Sequence, residues 1–129
     1  MGDALTDANE VLLRQIHPAF YQNGQPSSQP FQPTPKDDHK LSVDRSALTQ
    51  ASLSHELYTT NGFVSAAVYG IDVGEFGNEA LPCMSDPLPN AGLVRANPAH
   101  AYADYSLHGS NQQKTKAKRL KLKALGLRK

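Results

Sequence analysis

The chain contains one cysteine, Cys83, and no tryptophan. A lone thiol excludes an intrachain disulfide and cannot build a four-ligand zinc site. No apolar run approaches the roughly 18 residues that would cross a bilayer. The first residues, MGDALTDANE, have neither the basic nor the apolar region of a secretory signal. Glycine signatures for phosphate binding are missing too: there is no Walker A pattern and no G-x-G-x-x-G, and GEFGNE is too short a glycine pair to count. The histidines at 17, 39, 55, 100 and 108 lack metal-ligand spacing, so neither a metal nor a cofactor is expected. Together these features predict a soluble cytoplasmic protein with no membrane partner. MGDALT does place Gly2 and Thr6 as in the loose myristoylation pattern, but with Asp3 alongside, chance is the simpler account.

A chain of 129 residues with 39% hydrophobic content is long enough for one modest core. The net charge of +1 conceals a division. Residues 114–129 hold eight of the thirteen basic residues and none of the twelve acidic ones, so the rest of the chain stands at −7. The organisation expected is a single domain over 1–113 followed by a basic helix or tail over 114–129.

Five prolines fall between His17 and Arg45 (Pro18, Pro26, Pro30, Pro33 and Pro35), and they exclude regular structure from most of 26–36. Asn23-Gly24 marks a turn. The same stretch carries Phe20, Tyr21 and Phe31, and a solvated linker gains nothing from large rings. Burying each contributes roughly 1.5–3 kcal/mol. The segment 17–40 is therefore expected to be an ordered loop held on the domain, with these three rings as candidate partner-binding residues.

Elsewhere, TDANEVLLRQI has apolar residues at helical spacing and Thr6 or Asp7 as a cap, which predicts a helix ended by Pro18. KLSV predicts a short strand. DRSALTQASLSHELYTTNG predicts a helix capped by Ser46 or Asp44 and stopped at Gly62. FVSAAVYGIDV has the β-branched and aromatic content of a buried strand. GEFGNEALPCMSDPLPNAG predicts a loop or short irregular element, LVRA a brief strand and AHAYADYSLHG a longer one. The basic tail predicts a helix with Leu120, Ala124 and Leu127 on one stripe. The fold class expected is α+β, a small mostly antiparallel sheet covered by two or three helices.

Three sets of residues carry possible chemistry. In HAYADYSLH, His100, Tyr102, Asp104, Ser106 and His108 share one face of a regular strand. Same-face neighbours lie about 6.6–7 Å apart, too far for a local catalytic set, so partners must come from elsewhere. Folding the proline-rich loop over that face would bring His17 and Arg45 to His100 and Asp104, the residue types of a site for a phosphate-bearing or ribosyl ligand. The simpler account is a wetted sheet face. Lys114, Lys116, Lys118, Arg119, Lys121 and Lys123 would attract nucleic acid or an acidic partner, although no aromatic residue accompanies them for base stacking. Their simpler role is to stay solvated while the leucines dock on the acidic body.

The segment SSQPFQPTPKDDHKLSV, with LLRQIHP ahead of it, resembles small uncharacterised bacterial proteins. The resemblance implies a long characteristic loop and carries over no activity. The function expected is that of a small interaction or accessory protein with a larger protein partner. A nucleic-acid-binding protein and a small enzyme are the alternatives.

Overall fold

The computed structural model describes residues 2–128. Among the described residues, eight strands and three α-helices form an α+β fold around a six-stranded antiparallel sheet. The strands are β1 (Val11–Ile16), β2 (Tyr21–Gln22), β3 (Gln25–Pro26), β4 (Lys40–Arg45), β5 (Ala67–Asp72), β6 (Cys83–Ser85), β7 (His100–Asp104) and β8 (Leu125–Arg128). The helices are α1 (Ala51–Thr60), α2 (Val73–Asn78) and α3 (Ser110–Lys123). The sheet order is β6-β7-β4-β1-β5-β8, and β2 and β3 form a separate hairpin.

The first helix expected is a strand. Leu12 and Ile16 bury in the core on one face of β1, and Leu13 is buried on the other. Apolar residues at 12, 13 and 16 fit a helical stripe, but they fit equally a central strand covered on both sides. Pro18 then opens a single 3₁₀ turn, Pro18–Phe20. Asn23 and Gly24 make the hairpin between β2 and β3 with φ of 54° and 74°, as a type I′ turn requires.

α1 begins later than expected. Its N-cap position is Gln50, and Asp44 is consumed inside β4. Gly62, with φ of 95°, follows the helix end as expected. LVRA forms no strand. It lies in an arm over 86–99, closed by the bridges Leu88↔Asn97 and Ala91↔Val94, with a fully exposed Leu93 at the tip. The basic helix starts at Ser110 rather than in the tail, so the boundary expected at 113/114 falls within α3. It ends at Lys123, after which the chain extends and pairs with β5 as β8. Leu127 therefore belongs to a strand and not to a helical stripe.

The core lies between one sheet face and a layer of α2, α3 and the proline-rich loop. Leu12, Ile16, Leu41, Val43, Tyr69 and Ile71 come from the sheet, and Phe76 from α2. Ala117 and Leu120 come from α3 and Phe31 from the loop. Gln113 also faces inward and donates through Nε2 to the Tyr105 and His108 carbonyls at 3.2 and 2.8 Å. The loop is thus ordered against the domain. Its ring at Phe31 is fully buried, and the Tyr105 hydroxyl donates to the Phe31 carbonyl.

The opposite sheet face has less cover. α1 packs over β1, β5 and β8, and the 86–99 arm rises at the β7 side. A cleft separates them.

Candidate functional site

The cleft exists because β1 and β4 part company. They pair at Leu12↔Arg45 and Leu13↔Asp44 and then stop. Continuing that register would set Gln15 against Ser42, but the Ser42 carbonyl accepts from Arg14 Nη1 at 3.0 Å instead. Arg14 Nε donates to the Pro30 carbonyl at 2.6 Å. The guanidinium thus occupies the opening between the strands and replaces ladder bonds with its own.

Above this opening is a space of about 430 Å³. Its apolar walls include Leu57 and Tyr58 of α1, Phe63 just beyond it, and Leu88 and Val94 of the arm. Tyr58 and Phe63 stack with ring centroids 4.9 Å apart. A second space of about 260 Å³ is lined by Gln29, Pro30, Gln32 and Thr34 of the proline-rich loop. The two meet at Arg14, Gln15 and Tyr58, which line both. The two chambers therefore adjoin, one on the side of the arm and one on the side of the loop, and together they are called the groove below.

Polar side chains floor the groove. Asp44, buried, accepts from Ser54 Oγ at 2.6 Å and Asn97 Nδ2 at 2.8 Å. Ser54 in turn accepts from Gln15 Nε2 at 2.9 Å, and Ser65 Oγ donates to Gln15 Oε1 at 2.7 Å. This chain of bonds ties β4, α1, β1 and the arm together. Asn61 adds a clamp at the rim: its Oδ1 accepts from the Arg95 N–H at 2.9 Å and its Nδ2 donates to the Arg95 carbonyl. The walls are therefore braced against each other before anything binds.

Arg14 is a half-buried cation on this wall, and the exposed Arg95 stands at the rim. Among the described residues no carboxylate lies within ion-pair distance of it, and its Nη2 has no hydrogen-bond partner. Burial pushes its pKa below the ordinary arginine value, against the opposing influence of Tyr58, Tyr105 and Asp37.

The four residues expected to share a catalytic site are dispersed. His100 lines the groove, with Nδ1 at 3.0 Å from the Asp86 carbonyl and 3.3 Å from its carboxylate. Both neighbours are acceptors, so Nδ1 carries the proton. His17 lines the chamber on the loop side, exposed, and its Nδ1 caps the Ala19 N–H. Asp104 sits at the other end of β7 and accepts from the Ser106 N–H at 2.9 Å. Arg45 projects to the core face and is committed to Glu10 through two bonds of 2.9 and 3.1 Å. That pairing removes the fork donor proposed for a phosphate. Among the described residues, no serine hydroxyl or cysteine thiol hydrogen-bonds a histidine and no cluster is placed to hold a metal. Burial pushes the Cys83 thiol up to about 12, so at neutral pH it is an unreactive core side chain.

The three rings of the loop separate as well. Phe31 is inside the core and has no surface to offer a partner. Tyr21 is half-buried, edge-on to Tyr69. Phe20 alone is exposed, and it borders the second chamber.

The basic residues lie along α3. Lys114, Lys118 and Lys123 are exposed, and Lys121 is half-buried. Lys116 and Arg119 are tied to Glu79 after α2: Arg119 Nη2 is 2.7 Å from Oε1, and Lys116 Nζ donates to the Glu79 carbonyl at 2.6 Å. The hydrogen bond from Arg119 holds the Glu79 carboxyl below its ordinary value of 4.5. A lowered folded-state pKa gives stability that is present above the unfolded value and is lost as pH falls through the folded one. Acid titration of the melting temperature is therefore expected to show a loss below about pH 4.5. Glu79→Gln should flatten that limb, and an unchanged acid limb in the variant would show that Glu79 does not fasten α3.

No family model matches this chain, and comparison with curated proteins and with solved structures found no match. Among the described residues, no helix is long and apolar enough to cross a membrane. The groove was not legible in the sequence. Its apolar wall comes from Leu57, Tyr58, Phe63, Leu88 and Val94, which lie in two segments far apart along the chain. The only local hint was the proximity of Tyr58 and Phe63 across a helix end.

Proposed function

We propose that this chain is an interaction module that receives an extended apolar segment of a partner protein in the groove between α1, the 86–99 arm and the proline-rich loop. The observation that carries the reading is the two-chambered, braced groove with exposed apolar side chains at its mouth. Phe63 is 53% exposed, Val94 42% and Leu88 41%, and Leu93 stands fully exposed at the tip of the arm. Apolar residues gathered around a concave surface mark a binding site, whereas scattered ones do not. Two adjoining chambers suit a chain that lies lengthwise better than one compact ligand. The absence of a nucleophile–base pair on the groove wall favours binding over catalysis.

The basic face of α3 supports a weaker reading. Two of its cations are taken by Glu79, and the helix has no aromatic residue on which a base could stack.

The test is selection of random twelve-residue peptides displayed on yeast against the immobilised chain. Enriched peptides should carry two or more large apolar residues. Their binding should fall at least about tenfold in Phe63→Ser, which removes an exposed ring from the wall. Peptides that bind Phe63→Ser as well as the parent, or no enrichment at all, would remove the groove from consideration.

A further inference from the structure

We infer that the segment seated in this groove presents a carboxylate to Arg14. This deepens the docking reading above and rests on it. An arginine half-buried in a fold is ordinarily paired, because a partly desolvated cation without a counter-charge is costly. Glu10 pairs with Arg45 and Glu79 with Arg119, so this chain pairs its other half-buried guanidinium and the one fixing α3. Arg14 is the exception: Asp37 acts on it electrostatically but makes no ion pair with it. Two of its N–H groups are spent on the Pro30 and Ser42 carbonyls, which fix the plane of the fork. Nη2 is left over, and Arg14 lines both chambers at the point where they meet.

The surroundings fit one kind of partner group. Asp44 lies on the same floor, yet both of its oxygens are engaged by Ser54 and Asn97, and it makes no ion pair with Arg14. The walls offer apolar surface on either side of the guanidinium, through Tyr58 and Leu57 towards the arm and Pro30 towards the loop. A ligand bearing only apolar groups would shut off the solvent that Nη2 reaches and give no hydrogen bond in return. A segment with an Asp or Glu between apolar residues would place its carboxylate on Nη2 and complete the ion pair. A fixed guanidinium binds a carboxylate through directed, charge-assisted hydrogen bonds, which an amide of the same shape reproduces poorly.

The probes are the yeast-selected twelve-residue peptides whose binding depends on Phe63. Acidic peptides drawn to α3 instead are set aside by keeping only those that still bind Lys114→Glu/Lys118→Glu, in which the groove is unaltered. The remaining sequences should share an Asp or Glu at a fixed spacing from their apolar residues. Replacing that residue by Asn or Gln in the synthetic peptide should weaken binding by about tenfold or more. In Arg14→Met the same replacement should change affinity less than about twofold, because the coupling is then gone. Arg14 also braces the fold, so a reading on the unaltered chain accompanies the variant. The ¹⁵Nε resonance of Arg14 should move on adding the acidic peptide and stay in place on adding the same amount of its amide counterpart. Groove-dependent peptides with no acidic requirement, or an Arg14 resonance that moves equally with both, would overturn the carboxylate while leaving the docking reading intact. Failure to obtain any Phe63-dependent peptide would overturn both.

Discussion

Phe31→Ala is expected to destabilise the chain by about 3–5 kcal/mol, the range for deleting a fully buried ring. Phe31 is 0% exposed and is one of the largest side chains in the core. It enters from a loop with little regular structure to hold it, so its removal acts on two levels. The core cluster that also holds Ile16, Leu41, Tyr105 and Leu120 loses packing, and the loop loses its anchor. Arg14 depends on the same anchor, because Nε bonds the carbonyl of Pro30, the residue before Phe31. Amide exchange across 27–34 should therefore accelerate more than exchange in α2. Phe20→Ala is the control. That ring is 41% exposed, and its loss should shift stability by no more than about 0.5 kcal/mol. Denaturant midpoints measure both. Indistinguishable midpoints for Phe31→Ala and Phe20→Ala would mean that the loop is not held by its buried ring.

How far the sequence disclosed this architecture depended on whether a pattern was local. The hairpin turn at Asn23-Gly24, the stop at Gly62, and strands β4, β5 and β7 all follow from short-range chemistry, and all are present. In β7 the alternation holds. Ala101 and Ala103 are buried, and His100, Tyr102 and Asp104 face the other way. The segment 11–16 carries a helical pattern because a strand buried at positions on both faces loses the period-two signal that identifies strands. α3 was placed too late because its inward residues, Gln113, Ala117 and Leu120, include a glutamine whose buried role depends on carbonyls of Tyr105 and His108. Long-range pairing was the least legible part. Arg45 read as a free fork donor because Glu10 lies 35 positions away. Arg14 carries no local signal, because nothing in the neighbouring sequence shows that β1 and β4 separate beside it.

Arg45→Met is expected to cost about 3–5 kcal/mol, the range for breaking a buried ion pair by removing one partner. The Glu10 side chain is 5% exposed and that of Arg45 25%, so the carboxylate would be left with little water to replace the guanidinium. Its Oε2 would keep only the longer contact from the Ala47 N–H at 3.4 Å. The hydrogen bond to Glu10 raises the Arg45 pKa, in keeping with a charge held by its partner. Removing both ends tests the cause. Glu10→Met/Arg45→Met should recover most of the loss, because two apolar side chains leave no orphaned charge. A cost below about 1 kcal/mol for Arg45→Met would place the pair among solvent-screened surface contacts. The pair also bears on the groove. β1 is tied to β4 at one end only, by Leu12↔Arg45, Leu13↔Asp44 and the bonds between Val11 and Ser46, and Glu10–Arg45 closes that end. The strands part on the other side, where Arg14 and the groove lie. Loosening the closed end should widen the split, so peptide binding that depends on Phe63 should weaken in Arg45→Met under conditions where the variant is still folded. The double Met variant, with the closed end packed again, should regain it.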